Sequence, residues 1–220
     1  MPPKQRPGRV PTNERDSKRT LVSMVVAGLV VIVGAGALYL IGGEDAPGDA
    51  KEEARVALAA AGCELLIHDA PANAADHTDI TTPEGVSPGW KTDPPTAGPH
   101  FRETLVYGAY DEPVQQARVV HNLEHGAVFI QYGEGVAAAT VEELHGFYAK
   151  NRTGTILASY PALGEQIALG AWNDEGEGGG QGVLATCTAF DDSAFQAFLS
   201  AYQFRGPERF SPSQMAPGDL

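Results

Sequence analysis

His121-Asn122-Leu123-Glu124-His125-Gly126 runs directly into Ala127-Val128-Phe129-Ile130-Gln131-Tyr132, so a turn dense in ligand-type side chains becomes an apolar run within one step. The second half is rich in β-branched and aromatic residues and reads as a buried strand. The first half must therefore finish before it. On a helix, residues four apart share a face with β-carbons about 5 to 6 Å apart, close enough to grip one ion. On a strand the same spacing separates the side chains by about 13 Å, and His121 and His125 would not share anything. Gly126 suits the left-handed residue that ends a helix, so the spelling predicts a helical turn over 119–125 leading into a strand over 127–132. The five residues from His121 also match the H-x-x-E-H pattern of a zinc peptidase class, in which a further acid completes the site.

The chain has 220 residues, and its beginning differs from the remainder. Residues 1–20 carry Lys4, Arg6, Arg9, Arg15, Lys18 and Arg19 among Pro, Asn, Ser and Thr, which reads as a disordered basic tail. Leu21 to Ile41 gives twenty-one residues without a charge, long enough to cross a bilayer as a helix. Ala35-Gly36-Ala37 has the small-residue character of a signal-peptidase site, but Leu38-Tyr39-Leu40-Ile41 continues the apolar run, which favours an uncleaved anchor. Basic residues before the span place the amino terminus in the cytoplasm, and the expectation is a single-pass membrane protein whose carboxyl-terminal domain is extracytoplasmic. Its expected partners are the lipid bilayer, through residues 21–41, and an envelope protein.

Six basic and two acidic side chains among residues 1–20, against a total of −13, leave the rest near −17. Such a surface disfavours nucleic acid and anionic lipid headgroups. Cys63 and Cys187 are the two cysteines, both on the outer side of the span, where disulfides persist. A bond between them is favoured over a two-thiolate metal site, because neither lies in a C-x-x-C spacing.

The expected organisation is a basic tail (1–20), a membrane span (21–41), a linker with a short Ala/Glu/Arg helix (42–62), a globular domain (63–210) and a flexible tail (211–220). Prolines at 71, 83, 88, 94, 95, 99 and 113 exclude long helices between Ala70 and Pro113, which reads as long irregular loops. Thr140-Val141-Glu142-Glu143 has the capping-box spelling of a helix start, with Leu144, Phe147 and Tyr148 as its apolar face. Strands are expected over 155–159, 166–172 and 183–189. Asp191 or Asp192 caps a last helix, with Phe195, Phe198, Leu199 and Tyr202 on one side. This order predicts an α+β fold, an α/β sandwich with one layer of helices on a small mixed sheet.

Several segments together resemble a bacterial envelope family catalogued as domain of unknown function 3105. They are Pro94-Pro95-Thr96-Ala97-Gly98-Pro99-His100, Gly108-Ala109-Tyr110, Val120 to Gly126, Ile130-Gln131-Tyr132, Ala171-Trp172 and Gly206-Pro207-Glu208. Ala97 stands where the proline-rich segment is expected to carry serine. The resemblance implies a single-span or secreted envelope protein with one outer domain, and implies no mechanism.

His100, His121, Glu124 and His125 emerge as the candidate site. Gly98-Pro99 would hold the imidazole of His100 rigidly. Three imidazoles and a carboxylate suit zinc or copper(II), while methionines at 1, 24 and 215 offer no thioether cluster for copper(I). The primary reading is metal binding without turnover. One alternative is a non-catalytic scaffold of an envelope complex, with histidines bonded to loop carbonyls and Glu124 to backbone N–H groups. Another is a metal-dependent hydrolase with Glu124 as general base on a metal-bound water. His145 reads as a surface or interface residue and not a ligand. His68 and His77 flank a flexible polar stretch, where His77 with Asp76 and Asp79 would make a weak ion site but is expected in solvent.

Overall fold

The computed structural model describes residues 47–77, 89–176 and 179–218. The expected tail and membrane span over 1–41 lie outside those residues. Among the described residues, no helix is long and apolar enough to cross a membrane. The chain divides into Met1–Asp45 and Ala46–Leu220, and the second unit carries everything below.

That unit is an α+β domain built on a mixed six-stranded sheet. In chain order its elements are α1 (Pro47–Ala60), β1 (Glu64–Asp69), β2 (Ala109–Pro113), α2 (Gln116–Glu124), β3 (Val128–Tyr132), α3 (Ala138–Lys150), β4 (Thr155–Ser159), β5 (Ile167–Asn173), β6 (Gln181–Cys187) and α4 (Asp192–Tyr202). The strand order is β1-β6-β5-β3-β4-β2. β4 lies parallel to both β2 and β3, while β3-β5, β5-β6 and β6-β1 are antiparallel.

β3 is buried along its whole length, which is why its sequence is apolar without alternation. Val128, Ile130 and Tyr132 point into one core with Leu58, Leu144, Phe147, Phe195 and Phe198 from α1, α3 and α4. Phe129 points to the other face, into a second core with Val119, Val120 and Leu123 of α2 and Trp172 of β5. The single helical layer expected from the sequence is therefore corrected: helices cover both faces, and α2 is alone on the side it shares with the proline-rich loops.

Other local expectations also shift. α2 begins three residues before the expected start, and the chain from 64 to 69 and from 109 to 113 forms edge strands where the sequence predicts none. Thr140 does not cap α3, which starts at Ala138 with no side-chain cap. Asp191 does cap α4, its Oδ1 accepting from the Ala194 N–H at 2.9 Å, an interaction worth about 1 kcal/mol. Ala54 and Leu58 of α1 are fully buried in the domain core, and Met215, beyond α4, is fully buried in the second core. Cys63 and Cys187 are disulfide-bonded across the β1–β6 edge.

Candidate metal centre

The site grows from the last turn of α2 and the glycine after it. Asn122 is fully buried and clamps the neighbouring loop in both directions. Its Nδ2 donates to the Leu105 carbonyl at 2.9 Å, and its Oδ1 accepts from the Leu105 N–H at 2.8 Å. With Asn122 facing the loop, His121, Glu124 and His125 are presented together at the amino-terminal end of β3. All three are buried, with 6–7% of their surface exposed.

His100 reaches this turn from the proline-rich loop and is fully buried. Its backbone N–H donates to the Asp76 carbonyl at 3.1 Å, forming a short parallel bridge that places His77 alongside. The loop is held from below by the Trp90 Nε1–H, which donates to the Pro99 carbonyl at 2.9 Å. The Gly98 carbonyl lies 2.9 Å from His100 Nδ1. A carbonyl only accepts, so Nδ1 carries the proton, and Nε2 of the neutral ring is a bare lone pair. That Nε2 lies 3.1 Å from Oε2 of Glu124, close enough for an ion pair. Their alignment does not make a hydrogen bond, and each stands as a buried polar atom without a hydrogen-bond partner.

The neighbouring rings close round this pair. His77 lies 4.8 Å from His100 and 5.0 Å from His121 between ring centroids, and His100 lies 4.8 Å from His121. His121 Nε2 is 4.0 Å from the same Glu124 oxygen, and its Nδ1 is buried and unpartnered. Trp172 walls the pocket, edge-on to His100 at 5.9 Å. His77, His100, His121 and Glu124 each offer one donor atom within 4.8 Å of all the others, so the group lies close enough to hold a metal ion.

The electrostatics follow from burial and crowding. Burial pushes the His121 pKa down, and the nearby His125 and His100 push it further, to about 4. His125 is also lowered, chiefly by burial, against the opposing pull of Glu208. For His100 burial is again the largest influence and acts downward, but Glu124 and the Gly98 carbonyl outweigh it and leave the pKa raised. Burial acts to raise Glu124, yet His100 and the other imidazoles hold it below the ordinary carboxylate value.

His125 lies edge-on to His121, with ring centroids 4.5 Å apart. Its ring stacks on Phe210 at 3.8 Å, with planes 8° apart, and its Nε2 is 3.3 Å from Oε2 of Glu208. His121, Glu124, His125 and Glu208 form a second group whose donors lie within 4.8 Å of one another. The structure thus gathers all four expected residues, but splits them over two overlapping sets and adds His77 and Glu208. His77 is exposed, as expected, yet it faces the cluster and not solvent alone. Its sequence signal was a weak ion site with Asp76 and Asp79, not with the other histidines, and Glu208 lay in the closing Gly-Pro-Glu segment without any ligand-like spacing. His68 stands apart, with Nε2 2.9 Å from the Thr96 hydroxyl, and His145 lies 3.5 Å from Asp111.

The chemistry is not in the cleft beside α3. A cavity of about 620 Å³, lined by Tyr132, Val136, Val141, His145 and Ser159 among others, lies at the carboxyl ends of β3 and β4. The histidine cluster is at the opposite end of β3.

No match was found among curated proteins or among solved structures. A family profile described as protein of unknown function DUF3105 matches residues 85–215, which include His100, His121, Glu124, His125 and Glu208. The chain belongs to the DUF3105 family.

Proposed function

We propose that this domain binds a divalent transition metal ion, zinc or copper(II), through His77, His100, His121 and Glu124, without turnover. The observation that carries the reading is the encounter between His100 Nε2 and Glu124 Oε2. Two buried acceptors, 3.1 Å apart and without other partners, require a positive charge between them. A proton on His100 is one such charge, and a metal ion that also recruits His77 and His121 is the other. The Gly98 carbonyl on Nδ1 supports the second, since an outer-shell acceptor of this kind orients a metal-binding imidazole and fixes its tautomer.

Three imidazoles and one carboxylate match the preferences of zinc and copper(II). Four donors at about 2.0–2.1 Å from a tetrahedral zinc stand about 3.4 Å from each other. The observed spread, up to 4.8 Å, needs only side-chain tightening. The setting we propose is extracytoplasmic, with residues 21–41 as a single membrane span and the amino terminus in the cytoplasm. The charge pattern around that span supports this, as does the Cys63–Cys187 disulfide, a bond that persists in oxidising compartments.

Titration of the full-length protein with zinc(II) or copper(II) by calorimetry tests the reading. Saturable binding is expected in the wild type and weakened in His121→Ala and in Glu124→Gln. At ten times the dissociation constant, the ion should add about 1.4 kcal/mol to folding stability. If saturable uptake does not occur, the His100–Glu124 pair is a structural ion pair that fastens the proline-rich loop to α2.

A further inference from the structure

We infer that the segment from Phe204 to Phe210 supplies a second metal position, at which His125 and Glu208 hold an ion that shares the Glu124 carboxylate with the first. The inference rests on the metal reading above and extends it from one ion to a binuclear centre.

The two donor sets have His121 and Glu124 in common and differ in the rest: His77 and His100 on one side, His125 and Glu208 on the other. A carboxylate has two oxygens and can serve two ions, and bridged pairs stand about 3.5–4 Å apart. Oε2 of Glu124 faces His100 and His121, so the first ion takes that oxygen together with the His121 ring. The second is left with the other Glu124 oxygen, His125 and Glu208. Three protein donors leave one position of a tetrahedral zinc for a water or a small anion, the arrangement of open rather than closed zinc sites.

Glu208 is largely exposed, and an exposed carboxylate beside a histidine is commonplace. Its backbone is what separates it from that case. The Glu208 N–H donates to the Glu124 carbonyl at 3.0 Å, and the Phe204 N–H donates to the Gly126 carbonyl at 2.7 Å. Gly206 lies so close that a β-carbon there would be 2.2 Å from the Glu124 carbonyl oxygen. Gly126 itself has φ +97°, a conformation that favours glycine, and a β-carbon there would meet the backbone of Phe204, Arg205 and Gly206 at 3.0 Å. Phe210 then fixes the plane of the His125 ring. Close backbone packing thus brings a carboxylate and an oriented imidazole within 4.8 Å of a Glu124 oxygen.

The test is the zinc content of the full-length protein in mild detergent, equilibrated with zinc(II) and measured by elemental mass spectrometry, for wild type and Glu208→Gln. Two ions per chain in the wild type and one in the variant are expected. One ion in both proteins would overturn the second position and leave the first intact. None in either would overturn the first reading and this one with it. Two in both would show that Glu208 is not a ligand, which also overturns the inference. Copper(II) gives an independent readout by electron paramagnetic resonance: spin-coupled signals in the wild type should become the spectrum of an isolated ion in Glu208→Gln. Uncoupled signals in the wild type would count against a shared carboxylate.

Discussion

His100 Nε2 and Glu124 Oε2 face one another 3.1 Å apart inside the protein, each without a hydrogen-bond partner. Glu124→Gln keeps the shape and removes the charge, so it separates the two ways of bridging that gap. Metal affinity should fall by more than the roughly 10- to 100-fold that loss of an outer-shell partner costs. In the metal-free protein the His100 imidazole should titrate lower than in the wild type, which proton NMR of the histidine C–H signals would follow.

Metal binding should release a proton near neutral pH. The His100 pKa is raised, so the free protein tends to hold a proton at the position the ion needs, and affinity should fall as pH falls. His121 contributes little to that competition, its pKa being near 4. Calorimetry in buffers of different ionisation enthalpy gives the proton count directly. A count of zero at pH 7 would show that the His100 proton is not displaced.

Stability of the metal-free domain should decline on acidification. A folded His121 near 4, against an ordinary 6.5, means the unfolded chain binds the proton first, so stability is lost as pH falls from 6.5 towards 4. His125 acts in the same direction, and Glu124, also lowered, adds its loss below 4.5. His100 has the opposite sign: its contribution is full below 6.5 and fades as pH rises through its raised pKa. In that window the two lowered histidines outnumber it, so the melting temperature should drop between pH 7 and pH 5. His121→Gln should flatten that slope.

Removing the disulfide should be costly. Cys63 and Cys187 are 124 residues apart, and the chain-entropy model gives so long a loop about 4 to 5 kcal/mol. Denaturant unfolding of Cys63→Ser/Cys187→Ser against the oxidised wild type measures it. A difference near zero would mean that β1 is held by its ladder to β6 alone.

Gly206→Ala should destabilise the fold by about 1–3 kcal/mol, as overpacking does, because the new methyl would meet the Glu124 carbonyl oxygen at 2.2 Å. The same change should weaken metal binding although residue 206 has no ligand atom. Thermal melting with and without zinc(II) reads both effects.

What the sequence disclosed was chemistry and strong local pattern. The buried strand after Gly126, the Asp191 cap and the aromatic stripe of α4 were legible because each is a short-range signal. β1 was hidden because it is an edge strand with both faces largely exposed, so its residues Glu64 to Asp69 carry no burial pattern. β2 was hidden by Asp111, Glu112 and Pro113, which are tolerated only at an edge. The site was legible on α2, where spacing along one element brings His121, Glu124 and His125 together. His77 and Glu208 were not, because they arrive through backbone pairing of distant segments, Asp76 with His100 and Glu208 with Glu124, and no local spacing encodes those meetings.

Anomalous diffraction from crystals of the protein grown with zinc(II), recorded at the zinc edge, tests the central claim most directly. The account predicts a peak between His100 and Glu124, about 2.0–2.2 Å from His100 Nε2 and Glu124 Oε2, with His77 and His121 drawn in to the same ion. Absence of a peak there, with the two atoms still 3.1 Å apart and sharing a proton, would contradict it.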